Sequence, residues 1–228
     1  YLIEVRAVSE QYDMQAQKLA REIRLLPTTR FLSLAAIIAS SIPLTIHTSQ
    51  LYYLAGNPAS FEIDRLVRQL FVDPVVQEVS IYPSPGELSA CLQQEMQGTP
   101  FHIVNVFFHP GVTDTLAESV LAGAAMLDIS GLEQVQTGRR YMLDGRLSEA
   151  DVRAITEALL YNPVIQQYTL YDNNHLQTSN IYYGHVEELE ETSSSRSLVQ
   201  RFHILGMTDQ ELLELSKARM LALNLDEM

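Results

Sequence analysis

The stretch IHTSQLYYLAGNPASFEIDRLVRQLFVDPVVQEVSIY, residues 46–82, returns 89 positions later as VQTGRRYMLDGRLSEADVRAITEALLYNPVIQQYTLY, residues 135–171, without a gap. Thr48 falls on Thr137, Tyr52 on Tyr141, Leu54 on Leu143 and Gly56 on Gly145. Leu70 falls on Leu159, Pro74 on Pro163, Val75 on Val164, Gln77 on Gln166 and Tyr82 on Tyr171. Apolar positions stay in phase throughout, so helix pattern, proline and strand pattern repeat together.

Upstream, the match continues at a shift of 101. Ile3 and Val5 meet Val104 and Val106, and Asp13 and Ala16 meet Asp114 and Ala117. The two shifts differ by 12 residues, which places an insertion in the first copy at about residues 28–43. Each copy reads strand–helix–strand–helix–strand. Ile3, Val5 and Ala7 alternate with Leu2, Glu4 and Arg6, the pattern of a half-buried strand apart from Leu2. Ile63, Leu66, Val67, Leu70 and Phe71 make one apolar stripe at helical spacing. Asn57 with Pro58 reads as the start of that helix. Ser148 and Asp151 read as a capping box for its equivalent in the second copy. Both helices stop at Asx-Pro, since proline disfavours helical geometry in the residue before it. Ala122, Gly123, Ala124 and Ala125 leave little side chain on the first helix of copy two, so another element can approach closely there.

The expected fold is α+β: two tandem βαβαβ units with antiparallel sheets, two helices on one face of each, packed as an intramolecular pseudo-dimer about a pseudo-twofold axis. The units span residues 1–86 and 101–172, joined by a connector at 87–100. An acidic, then Ser-rich linker occupies 173–206, and a helix opens in 207–228 behind a capping box at Thr208. The end at Met228, without a helix stop signal, reads as a break inside something longer.

The composition narrows the function. A formal net charge of -13 and no basic run longer than Arg139-Arg140 argue against nucleic acid and against an anionic membrane surface. The most apolar window, residues 31–42, is too short to span a bilayer and reads as core. No signal peptide is expected from the first residues. The single cysteine, Cys91, permits no internal disulfide and suits a reducing, cytoplasmic setting.

Catalytic constellations are absent from the pattern. The six histidines include no pair at i, i+4. The phosphate-loop, dinucleotide and nucleophile-elbow motifs do not occur. Ser193 to Ser195 lie in the linker without a positioned base, and Cys91 reads as a packed or surface thiol. The expected sites are therefore catalytic none, cofactor none and metal none. The basic pair Arg139 and Arg140 reads as a strand end with surface arginines, or as an anion or partner contact.

At this point a family resemblance enters. Gly111-Val112-Thr113-Asp114 leading into Ala117-Glu118-Ser119, then Thr137-Gly138-Arg139-Arg140-Tyr141, then Leu160-Tyr161-Asn162-Pro163-Val164-Ile165-Gln166 resembles the PurS-like region of phosphoribosylformylglycinamidine synthase. Residues 212–228, with Ser216-Lys217-Ala218-Arg219 and Leu223-Asn224-Leu225-Asp226-Glu227-Met228, resemble the linker that introduces the catalytic part of a PurL-type chain. The first copy matches weakly and its insertion is a departure. The resemblance implies a non-catalytic portion of an ATP- and glutamine-dependent ligase of purine biosynthesis, bridging synthetase and glutaminase parts. ATP and Mg would belong only to a catalytic region outside this chain. The alternative is a stand-alone ferredoxin-like regulatory module binding a small ligand between its halves.

Overall fold

A computed structural model of the chain describes residues 1–40, 42–96, 101–171 and 208–210. The chain divides into two compact units, Tyr1–Leu189 and Glu190–Met228. In the second, Asp209 and Gln210 are helical directly after Thr208. The linker at 173–206 and the PurL-like segment at 212–228 lie outside the described residues.

In the first unit, strands β1 (Leu2–Ala7), β2 (Ile46–Gly56), β3 (Gln77–Tyr82), β4 (Phe101–Phe108), β5 (Leu132–Asp144) and β6 (Gln166–Tyr171) form a single sheet in the order β3-β1-β2-β5-β4-β6. Every pairing is antiparallel. The expectation of a separate sheet for each copy is corrected. In a three-stranded copy ordered β3-β1-β2 the long strand β2 would be an edge with unpaired backbone groups. Pairing it with its counterpart β5 removes both edges at once.

The register of that pairing follows the repeat. Thr48 lies opposite Tyr141 while Tyr52 lies opposite Thr137, and Ile46 lies opposite Leu143 while Leu54 lies opposite Val135. Each partner is the other's equivalent under the 89-residue shift. Gln50 lies opposite its own equivalent, Arg139, at the centre.

Helices α1 (Met14–Arg24), α2 (Leu32–Ala39), α3 (Ser60–Leu66), α5 (Thr115–Met126) and α6 (Glu149–Ile155) supply the cover of one face. One core cluster joins Leu19 and Ile23 of α1 to Val104, Val106, Tyr141 and Leu143 of the second copy, with Val152 and Ile155 of α6. The other joins Ala117, Val120 and Ala124 of α5 to Ile3, Val5, Tyr52 and Leu54 of the first copy, with Ile63 and Leu66 of α3. The first helix of each copy thus lies over its own long strand and shares a core with strands of the other copy.

The opposite face is covered as well. The stretch read as a connector carries helix α4 (Pro85–Met96), whose Leu88 and Leu92 pack on Leu2, Leu51, Tyr53 and Met142. Leu2 and Ile3 are therefore both fully buried, and Glu4 nearly so. β1 is buried on both faces, not the half-buried strand its alternation suggests.

Local differences have local causes. The first-copy helix starts at Ser60, after Ala59, and not at Pro58; the Asn57 N–H instead ties the preceding loop to the Gly131 carbonyl at 2.8 Å. Glu62 caps the new start by accepting from Ala59 N at 2.7 Å. Ser148 does cap α6, accepting from Asp151 N at 3.1 Å. The carboxylate of Asp151 turns away from the box, however. It accepts from Ser33 N (2.8 Å), Ser33 Oγ (2.5 Å) and Leu34 N (3.2 Å), so it caps α2 across the molecule. The insertion at 28–43 is thereby a 3-10 turn, Thr28–Arg30, followed by a helix docked on the second copy. Its inward residues Phe31, Leu34 and Ile37 are buried, while Leu32 and Ile42 are exposed, so only part of the apolar window is core.

Both second helices end in a π turn, Val67–Phe71 and Thr156–Leu160, at equivalent positions. A π turn advances the chain by one extra residue per turn. The inward face passes from Val67 to Phe71, and from Thr156 to Leu160. Leu70, expected in the core, is 42% exposed. Leu159 is only half-buried.

Candidate interaction face at the strand seam

On the face carrying α1 and α5, the seam between β2 and β5 is the place where both copies contribute equivalent residues. Asp13 ends its loop as the N-cap of α1, its Oδ1 accepting from Ala16 N at 2.8 Å. The same carboxylate accepts from Thr48 N and Thr48 Oγ1, each at 2.7 Å. Asp114 repeats this at α5: it accepts from Ala117 N (3.0 Å), Thr137 N (2.7 Å) and Thr137 Oγ1 (2.9 Å). One aspartate per copy therefore fixes a helix start to a seam strand. Each carboxylate is engaged by three donor groups, which suits an anchor better than an acid or base.

Two clefts open beside these anchors. The smaller, about 260 Å³, includes Val5, Asp13, Gln15, Thr48 and Gln77; the larger, about 370 Å³, includes Val106, Asp114, Leu116, Thr137 and Gln166. The residues correspond pairwise under the two repeat shifts. Gln50 and Arg139 line both clefts. The Gln50 side chain donates to the Gly138 carbonyl at 2.8 Å, whereas the Arg139 side chain is exposed.

The two arginines named from the sequence thus point to opposite faces. Arg139 faces the clefts and is the residue of the pair open to an anion or partner. Arg140 is fully buried on the α4 side. Its Nη1 donates to Glu4 Oε2 at 2.6 Å and its Nε to Asn105 Oδ1 at 3.0 Å. Its charge is already spent inside the chain, so in this fold it is a bond across the seam and not a surface contact. Glu4 belongs to β1 of the first copy and Arg140 to β5 of the second. Burial, then the nearby Glu4 carboxylate, push the Tyr82 phenol above its ordinary value.

The remaining candidates stay apart. His102 Nε2 donates to the Leu147 carbonyl at 2.8 Å, and His47 meets Phe101 edge-on. Cys91 Sγ lies 3.7 Å from the Tyr82 hydroxyl. Among the described residues, no group of three or more His, Cys, Asp or Glu side chains could hold a metal ion, and no helix is long and apolar enough to cross a membrane. Ser193 to Ser195 lie outside the described residues.

The signal for Asp13, Asp114, Thr48 and Thr137 was present in the sequence, since all four align under the repeat. No local signal could have paired Glu4 with Arg140, because the contact exists only once β1, β2 and β5 lie side by side.

The class defined so far is an α+β molecule with a six-stranded antiparallel sheet and matched anchors on either side of its central strand pair. Residues 102–172 match the family model of PurS, phosphoribosylformylglycinamidine (FGAM) synthase. That segment, about a third of the chain, takes in all but the first residue of β4 and the whole of α5, β5, α6 and β6. A search of the curated proteins finds no match.

Proposed function

We propose that residues 1–171 are a non-catalytic, PurS-like pseudo-dimer within one chain, which assembles the synthetase and glutaminase parts of FGAM synthase. The observation that carries this reading is the seam register, in which equivalent residues of the two copies exchange across β2 and β5 around Gln50 and Arg139. An exchange of this kind is what an isologous contact between two identical subunits produces, and the family match on the second copy supports naming the subunit PurS-like. The resemblance of residues 212–228 to a PurL-type linker supports covalent attachment to the synthetase region. ATP and Mg would act in that region, and the acidic, cysteine-poor composition supports a cytoplasmic setting. Two related surfaces on one rigid sheet suit bridging of protein partners.

The test has two arms. The purified chain, assayed for glutamine-dependent ATP hydrolysis with formylglycinamide ribonucleotide, is expected to show no turnover; robust turnover would remove the non-catalytic reading. Deleting residues 1–171 from the polypeptide that carries the synthetase is expected to abolish complex formation with the glutaminase and glutamine-dependent activity. Unchanged complex formation would rule out the assembly role. The regulatory reading, favoured by the paired clefts that share Arg139, would then stand.

A further inference from the structure

On the face that carries α4, the register aligns one residue from every strand into a polar row: Glu78, Arg6, Ser49, Arg140, Asn105 and Thr169. Arg6 Nε donates to Glu78 Oε1 at 2.6 Å, closing one end. The other end is not closed by the protein. Arg140 and Asn105 are both fully buried, yet Arg140 Nη2 and Asn105 Nδ2 have no hydrogen-bond partner, and neither has the buried Thr169 Oγ1. The three atoms belong to consecutive neighbours across β5, β4 and β6, where facing Cβ atoms lie about 5 Å apart. The Arg140 Nε to Asn105 Oδ1 bond holds the guanidinium against the amide and fixes which amide atom is its acceptor, leaving Nδ2 as the free donor beside it.

Leaving buried donors unmet costs roughly 1–3 kcal/mol each, so the row calls for an acceptor. Charge decides its kind. Arg140 is balanced by Glu4 and Arg6 by Glu78. An anion added here would be an uncompensated buried charge, which is far more costly than a neutral dipole. We infer that Arg140 Nη2, Asn105 Nδ2 and Thr169 Oγ1 together bind one neutral acceptor, an internal water molecule. It accepts from the guanidinium and the amide and donates to the threonine hydroxyl. Three bonds are the usual complement of a buried water. The site completes the coordination of the arginine that ties β1 to β5, so it belongs to the seam and does not depend on the assembly reading.

The test is a crystal structure of the full chain at about 1.8 Å or better, with a second crystal soaked in bromide and measured at the bromine edge. The expected result is one peak within roughly 2.6–3.2 Å of all three atoms, without anomalous signal after the soak. An anomalous peak there would replace water by a small anion and overturn the inference. Equally fatal would be an empty row in which Arg140 Nη2 and Asn105 Nδ2 donate to protein acceptors.

Discussion

Glu4 and Arg140 form the one ion pair among the described residues whose two side chains are both nearly inaccessible to water. Neither residue has an obvious substitute, because removing one partner leaves the other buried and charged without its counter-ion. Glu4→Leu or Arg140→Leu alone is expected to lose about 3–5 kcal/mol, whereas the double Leu variant should lose far less. Urea midpoints of the three variants check this, and simple additivity would show that the pair is not coupled. Tyr82 gives a pH dependence with a defined sign. Its phenol lies above the ordinary value of 10.0, through burial and the Glu4 carboxylate. The folded state therefore holds the phenolic proton more tightly than the unfolded chain. That contribution is complete below about pH 10 and is lost as pH rises through the folded value. Wild-type stability should fall as pH rises above about 10, and Tyr82→Phe should flatten that fall. Equal slopes for both proteins would dismiss Tyr82 as the source.

At the level of elements, the two aspartate anchors and the two π turns recur at equivalent places, and each tests a different kind of bond. Asp13→Ala and Asp114→Ala remove a helix cap and strand the backbone and hydroxyl donors of Thr48 and Thr137. Each should cost roughly 2–4 kcal/mol in chemical denaturation, and a loss under about 0.5 kcal/mol would show that water replaces the anchor. At the π turns, Leu160→Ala should cost about 2–5 kcal/mol, as for a buried leucine. Leu70→Ala should cost clearly less, since Leu70 is half in solvent and rests on the bare Gly123 of α5. Equal losses would contradict the shifted phase. This case marks the limit of the sequence. Helical spacing alone puts Leu70 beside Leu66 and Phe71 on one stripe, because nothing in Val67 to Phe71 announces a wider turn. The strand–helix–strand–helix–strand order of each copy, the Asx-Pro stops and the small-residue helix were legible, since each rests on local periodicity or chain stiffness, whereas α2 and α4 were not. The shared sheet, the second-face role of α4 and the cross-seam ion pair were not. Each depends on which edge strand meets which, a choice made by packing between distant segments.

The molecule as a whole cannot be separated into its copies. Helix α1 completes a core with the second copy's strands, and α5 completes one with the first copy's. Residues 1–171 should therefore unfold in a single cooperative step, with circular dichroism and near-ultraviolet signals superposing. A segment limited to residues 101–171 lacks Leu19, Ile23 and Leu34, which close its core, and should remain without fixed tertiary structure. Two separate transitions, or a folded isolated segment, would refute the exchange as a stabilising feature. The same exchange governs what happens during synthesis. When α1 and α2 leave the ribosome, β2 soon follows, but the second copy's strands that complete their core do not yet exist. At roughly 5–20 residues per second, several seconds or more pass before β5 emerges. Throughout that interval Leu19, Ile23, Phe31 and Leu34 have only Leu44 and Ile46 of their own copy to pack on, so the nascent chain presents a window for chaperone capture. Ribosome-arrested chains ending before β5 should be cleaved readily within α1 and α2 by added protease, and chains long enough to expose β5 should resist.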